Sequence, residues 1–382
     1  MTEAGGPRRL VYLSGTRADF GLMARTLQRI AATPGLDLQL AVTGMHLSPE
    51  HGMTVQEVRA SGLPISAEIP MDLNARSGQG MATGIADCLR GLSEVLARER
   101  PDLLLVLGDR GEMLAGAVAA LHLGIACVHL HGGERSGTVD EPVRHAISKL
   151  SSYHFVATSQ SRERLVRMGE EESRVFVTGA PGLDGLQALG DVPREECLAS
   201  LGFAPASRFI LVLFHPVVQQ AGQARAQTLA LVHSVRAVGL PVLWLEPNAD
   251  AGSLEILDAL DGMHLPPGSR RLAHLPRPLF LAALRHCELL AGNSSSGIIE
   301  AATFGTPVLN VGDRQHLRER NANVIDVPPQ AQAIETGLRT AIAHGRWPCD
   351  NLWGDGHAAE RIAHLLATLP LVPALLEKTN TY

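Results

Sequence analysis

The sequence predicts an α/β protein built from two parallel-sheet halves, and three observations carry that expectation. Short apolar runs alternate with longer segments of helical period almost from the first residue, the pattern of repeated strand–helix units. The chain is 382 residues long, more than one ordinary hydrophobic core organises, so two domains are expected. Between Gly179 and Ser207, Ala-Pro-Gly, Asp-Val-Pro and Ala-Pro-Ala-Ser turn signals surround one short amphipathic helix and split the alternation into two rounds.

In the first round the expected strands are Arg9 to Ser14, Leu36 to Thr43, Leu103 to Leu107, Ile125 to Leu130 and Tyr153 to Ala157. Leu36, Leu38, Leu40 and Val42 alternate with period two. Between Gly84 and Arg98, Ile85, Leu89, Leu92, Val95 and Leu96 follow helical spacing, and Pro101 ends the pattern. In the second round strands are expected at Phe209 to Phe214, Pro241 to Leu245, Cys287 to Ala291 and Pro307 to Val311. Helices are expected near Ala224 to Val238, Pro278 to Arg285 and Ser296 to Phe304. These rounds define two Rossmann-like domains, 1–185 and 186–382, with a last helix near His357 to Leu369 that could pack on either.

With 45% hydrophobic and 19% charged residues the composition is globular. A net charge of −6 argues against nucleic acid or an anionic membrane as partner, since both need an excess of Lys and Arg. The five cysteines, Cys88, Cys127, Cys197, Cys287 and Cys349, show no CxxC pair and suggest neither a disulfide framework nor a metal site. No apolar stretch approaches the roughly 20 residues of a membrane span, and MTEAGGPRRLVYLSG is too polar for a signal peptide. The expected location is the cytoplasm.

Ligands of open parallel sheets bind beyond the carboxyl ends of the strands, so the residues that follow each strand are the candidates. After the first strand, Ser14-Gly15-Thr16-Arg17-Ala18-Asp19 joins a glycine turn to a helix N-terminus that attracts anions, with Arg17 as a second donor. Asp19 fits a capping role equally well. Leu107-Gly108-Asp109-Arg110 leaves a carboxylate and a guanidinium side by side at a strand end, where a capping Asp is again the alternative.

Residues 129–145 pack three histidines, three carboxylates and two arginines around paired glycines, a mixture that a solvated loop seldom needs. Asp140, Arg144 and His145 fall on neighbouring turns of the helix that follows. His122 and His154, alone in apolar settings, read as structural. His215, in Phe214-His215-Pro216, stands at the position of the second half that matches the Arg17 turn, suited to proton transfer, to a phosphate contact or merely to ending the strand. Gly292-Asn293-Ser294-Ser295-Ser296-Gly297 followed by Glu300 forms an anion-binding turn, with an acidic residue placed for ribose hydroxyls.

Taken together, SGTRADFGLM, VTGMHLSPEHG, LGDRGEML, HGGERSGTVDEPVRHAISKLS, FHP and GNSSSGIIEAATFGTPVLNVGDRQ resemble the hydrolysing UDP-N-acetylglucosamine 2-epimerases of sialic- and legionaminic-acid pathways. The resemblance implies a glycosyltransferase-B-like fold with its active site in the interdomain cleft, UDP held chiefly by the second half, no metal or redox cofactor, and a homodimer or homotetramer. It implies Asp109, Glu134, Asp140 and His215 as catalytic residues. Arg17, Asp19, Arg110, Arg144, His145, Ser294, Ser295, Gly297, Glu300 and Arg314 would bind the UDP-sugar substrate. Some members carry a catalytic Glu where this chain has His131, an imidazole able to exchange protons in its place. The expected reaction converts UDP-N-acetylglucosamine to N-acetylmannosamine and UDP. Alternatives are UDP-2,4-diacetamido-2,4,6-trideoxyglucose as substrate, a non-hydrolysing epimerase, and a transferase or nucleotide-sugar sensor; GDR and DExxRH favour hydrolysis.

Overall fold

A computed structural model describes residues 6–73, 78–136, 140–247 and 252–381. Gly137, Thr138 and Val139 of the histidine-rich loop lie outside the described residues. The chain divides into two compact units, Met1–Asp184 with Trp353–Tyr382, and Gly185–Leu352.

The first unit holds β1 (Arg8–Ser14), β2 (Leu36–Thr43), β3 (Ile65–Ile69), β4 (Leu103–Leu107), β5 (Ala126–Leu130), β6 (Tyr153–Val156) and β7 (Val175–Val177). They form one sheet in the order β3-β2-β1-β4-β5-β6-β7, and every pairing is parallel. Residues of β1 alternate between two apolar layers. Leu10 and Tyr12 pack with Met23, Leu27 and Ile30, whereas Val11 and Leu13 pack with Leu92, Leu104, Val106 and Met113. A strand buried on both faces is what helices on both sides of a parallel sheet require.

The second unit holds β8 (Ile210–Leu213), β9 (Val242–Leu245), β10 (Arg270–Leu272), β11 (Leu289–Gly292), β12 (Val308–Val311) and β13 (Val324–Val327). Their order is β10-β9-β8-β11-β12-β13, again parallel throughout. In both sheets the order reverses beside the first strand, between β1 and β4 and between β8 and β11. Two strands diverge there and leave a crevice at their carboxyl ends.

The strands expected from sequence are all present, with one shift: Cys287 caps a helix and β11 starts at Leu289. The helix expected over Ser296 to Phe304 is two pieces, Ser295–Ile299 and a 3-10 turn Ala301–Phe304. Four strands were not expected, β3, β7, β10 and β13, and they are the four sheet edges. Edge strands are short and half exposed, so they lack the continuous apolar run that marks a buried strand. Among the described residues no helix is long and apolar enough to cross a membrane.

The helix Ala358–Thr368 packs on the first unit, where Ala358, Ile362, Ala363 and Leu366 join the layer of Leu10, Tyr12 and Leu27. Its N-terminus is capped from far away in sequence: the Asp184 carboxylate accepts from the backbone N–H groups of Ala358 at 3.0 Å and Ala359 at 2.5 Å. Asp184 is buried, so its removal leaves two donors without an acceptor. Asp184→Ala should therefore cost about 1–2 kcal/mol, read as a lower urea midpoint, and Asp184→Asn should cost less because one acceptor oxygen remains. An unchanged midpoint in the alanine variant would show that the cap is dispensable.

Candidate active site

The loops after β1, β4 and β5 meet because those strands are neighbours in the sheet. After β1, Thr16 caps the helix Arg17–Ala31 and Asp19 completes a capping box. The Asp19 carboxylate accepts from the backbone N–H groups of Gly15 at 3.0 Å and Thr16 at 2.7 Å, and from the Ser14 hydroxyl. Of the two roles open to Asp19, the structure gives it the cap: it is buried and committed to its own turn. The exposed Arg17 pairs with Glu57 at 3.0 Å.

Beneath this turn lies His46, which sequence reasoning did not single out. Ser14 donates to Asp19, so its oxygen accepts from His46 Nε2 at 3.0 Å, and His46 Nδ1 then accepts from the Thr54 hydroxyl at 2.8 Å. Burial pushes the His46 imidazole down and the Asp19 carboxyl up from their ordinary values.

Gly108, at φ +80°, turns the chain out of β4 and donates its N–H to Leu130 O at 2.9 Å. Asp109 follows and forms an ion pair with Arg144, whose side chain is only 3% exposed. Arg144 Nε and Nη1 are buried and find no hydrogen-bond partner among the described residues. Arg110 turns from Asp109 to the buried Glu112 at 3.3 Å. Glu112 was also missed, because an acidic residue in a helix's first turn reads as ordinary dipole compensation.

At the end of β5, His131 occupies the left-handed region at φ +60°, a strained state for a non-glycine residue and a common mark of a functional turn. Its Nδ1 meets Glu134, which is buried. A carboxylate only accepts, so Nδ1 carries a proton. Nε2 is buried and has no hydrogen-bond partner among the described residues. Gly133, at φ +74°, has no room for a Cβ, which would come within 2.3 Å of Ser161 O. Asp140 is the exposed first residue of the helix Asp140–Leu150, and His145 lies 3.5 Å from Glu141.

In the second unit the loops after β8, β11 and β12 meet around Asn293. Its Oδ1 accepts from His215 N and its Nδ2 donates to His215 O, both at 2.8 Å, so one side chain fixes the backbone on both sides of the imidazole. The Asn293 carbonyl accepts from Arg314 at 3.2 Å and from Gln315 at 3.0 Å. Gly292 is obligatory, since a Cβ there would lie 1.9 Å from Leu213 O. Ser294 caps the short helix Ser295–Ile299, and Ser295 is half-buried beside it. Gly297 serves packing: a Cβ would press within 2.7 Å of Leu290. Glu300 is buried and held by both terminal nitrogens of Arg277, which no sequence signal marked. Among the described residues no group of His, Cys, Asp and Glu is arranged to hold a metal ion.

Burial and the nearby Arg314 cation lower the His215 pKa to about 4. The ring should therefore stay neutral from pH 5.5 to 8, and its Cε1–H resonance should not titrate in that range; a midpoint near 6.5 would contradict this environment. Arg314→Gln removes a cation and should move the midpoint upward. Because the unfolded chain protonates near 6.5, His215 withdraws stability as the pH falls from that value toward 4.

A family model described as UDP-N-acetylglucosamine 2-epimerase matches residues 28–367. The chain is 47% identical over 375 residues to the UDP-N,N'-diacetylbacillosamine 2-epimerase (hydrolyzing) of Legionella pneumophila, covering 98% of this chain and 100% of the relative. It is 32% identical to the UDP-N-acetylglucosamine 2-epimerase of Neisseria meningitidis, covering 94% of this chain and 95% of the relative. Its fold resembles the crystal structure of UDP-GlcNAc 2-epimerase from Neisseria meningitidis bound to UDP-GlcNAc, at TM-score 0.80 and 19% identity, covering 94% of this chain and 99% of that one. With the family model matching most of its length and a relative 47% identical end to end, the chain belongs to the UDP-N-acetylglucosamine 2-epimerase family.

Proposed function

We propose that the protein is a hydrolysing 2-epimerase acting on UDP-N,N'-diacetylbacillosamine, the 2,4-diacetamido-2,4,6-trideoxy sugar, in preference to UDP-N-acetylglucosamine. The observation that carries this choice is the 47% identity with the Legionella enzyme along nearly the whole chain, against 32% with the meningococcal one. It reverses the order in which the motifs alone placed the two substrates.

In this reading a base takes the proton from carbon 2 while the bond from carbon 1 to UDP breaks, and the electron pair leaves on the diphosphate. A carbon 1–carbon 2 double bond results. Water then adds its hydroxyl to carbon 1 and a proton returns to the opposite face of carbon 2, giving the free manno sugar and UDP.

Two groups in the first unit suit the proton transfers: Asp109, paired with Arg144, and the His131 ring, oriented by Glu134 so that Nε2 can accept or return a proton. Asp140 adds a carboxylate at the helix entrance. The Arg144 donors that have no partner among the described residues suit oxygens of the sugar or diphosphate, where charge grows as the bond to UDP breaks. Arg17 and Arg110 begin or precede the helices after β1 and β4, and His145 lies on the helix Asp140–Leu150; their part in holding the substrate rests on the motifs. In the second unit His215, Arg314, Ser294 and Ser295 surround Asn293 as a diphosphate site. Glu300 meets the ribose once Arg277 yields an oxygen.

The direct test incubates the protein with each UDP-sugar in heavy water under proton NMR. Free 2,4-diacetamido-2,4,6-trideoxymannose deuterated at carbon 2 is expected, with slower or no turnover of UDP-N-acetylglucosamine. Preference for the latter would overturn the substrate, and retention of UDP on the product would overturn hydrolysis. Asp109→Asn should lower kcat by at least about 100-fold while UDP still binds; undiminished turnover removes Asp109 from the chemistry. Ser294→Ala combined with Ser295→Ala should weaken UDP binding, and unchanged affinity would sink the anion site.

A further inference from the structure

The segment that follows the last helix reaches back to the helix Asp140–Leu150, and its Lys378 ends inside the protein. Lys378 Nζ donates to the carbonyls of Ser148 at 2.9 Å and Ser151 at 2.8 Å, and pairs with Glu170 at 2.5 Å. A lysine on the closing carbonyls of a helix satisfies orphan acceptors and opposes the negative end of the dipole. Here the capped helix is the one that carries Arg144 and His145.

Ser148 connects this cap to the chemistry. Its Oγ meets His129 Nδ1 at 2.9 Å, and His129 Nε2 meets Gly108 O at 2.7 Å. A carbonyl only accepts, so Nε2 carries the proton and Nδ1 accepts from the serine. Full burial lowers the His129 pKa to about 3, so the ring stays neutral and the two bonds keep these directions. Gly108 precedes Asp109, Asp109 pairs with Arg144, and Arg144 lies one turn before Ser148. The contacts therefore close a ring: Asp109, Arg144, the helix, Ser148, His129, Gly108 and Asp109 again. The Lys378 ammonium fastens it from outside.

We propose that Lys378 is a positioning residue for the epimerase reaction: by gripping the end of the helix Asp140–Leu150 it sets Arg144 directly and the Asp109 turn through Ser148 and His129. The proposal rests on the function given above. Glu170 is 1% exposed and also holds His154 Nε2 at 2.8 Å and Lys149 at 2.9 Å, so it retains partners when Lys378 is neutralised. Lys149 is a natural control. It contacts the same Glu170, but its other bonds go to Met168 O and Asn380 rather than to the carbonyls that close its own helix.

The experiment compares Lys378→Met, Lys378→Arg, Ser148→Ala and Lys149→Met with the wild type. It measures kcat and KM for UDP-N,N'-diacetylbacillosamine, and hydrogen–deuterium exchange of peptides covering 105–112 and 140–150. Lys378→Met should lower kcat about tenfold with KM within about twofold, the signature of a misplaced catalytic pair rather than a lost substrate contact. Lys378→Arg should recover most of the loss, and Lys149→Met should stay near wild type. Exchange should rise in both peptides without a general rise elsewhere. Ser148→Ala keeps the cap and cuts only the link to His129, so it should also lose kcat, and it serves if Lys378→Met fails to fold. Unchanged kcat in Ser148→Ala, equal losses in the two lysine variants, or unchanged exchange at 105–112 would each overturn the proposal. If the wild type turns over neither UDP-sugar, the functional reading has failed, and the exchange comparison alone still decides whether Lys378 holds the Asp109 turn.

Discussion

A parallel sheet covered on both faces leaves a polar ligand only its strand ends, and at one of those ends adjacent strands diverge. In β1, Leu10 and Tyr12 face one apolar layer while Val11 and Leu13 face the other, so the middle of the strand is closed to water and substrate. The first polar side chains appear where β1, β4 and β5 stop. The strand order reverses between β1 and β4 and between β8 and β11, which puts the Ser14–Asp19 turn and Asp109 beside one crevice and His215 and Asn293 beside another, with His131 at the end of the next strand, β5. The chemistry of each unit is thus located by topology before any particular residue is considered.

The histidines of β5, of the turn after it and of β6 divide by their bonds and their place. His129 has both nitrogens occupied, one by a carbonyl and one by a hydroxyl, so it transmits position and cannot exchange protons. His154 is tied to Glu170 and belongs to a buried ionic cluster. His131 keeps Nε2 without a protein partner among the described residues, in a backbone state that an ordinary structural residue would avoid. His154, like His131, keeps one nitrogen on a buried carboxylate and the other without a partner among the described residues, so what separates these two is place: His154 lies inside a buried strand, whereas His131 stands in the left-handed turn just past a strand end.

Much of this was legible in the amino-acid sequence. The interior strands announced themselves because doubly buried strands are continuous apolar runs, and the residues just beyond them, Asp109, His131 and Asn293 among them, fell where ligands bind. The edge strands were silent because half of each faces solvent: β10 is Arg-Arg-Leu and β13 is Val-Ile-Asp-Val. Asp19 shows the limit of reading a carboxylate at a helix start, since capping and binding use the same residue and only its bonds distinguish them. His46, Glu112 and Arg277 were hidden too. His46 and Arg277 act through partners distant in sequence, Ser14 and Glu300, and closeness of that kind has no local pattern, whereas Glu112 pairs with Arg110 two residues away and was masked by its place in a helix's first turn.

The return of the helix Ala358–Thr368 to the first unit bears on the order in which the chain acquires structure on the ribosome. Residues 185–352 form a contiguous unit with all six of their strands in hand once Leu352 has emerged. The earlier-synthesised unit must wait, because Ile362, Ala363 and Leu366 complete the layer over Leu10 and Tyr12, and Asp184 has no helix to cap until Ala358 arrives. Domains usually fold as they emerge, the N-terminal one first. Here the later segment can finish before the earlier one, so the part of the first sheet's apolar layer that lies under Ile362, Ala363 and Leu366 stays open until the chain is nearly complete, although Met23, Leu27 and Ile30 cover the rest.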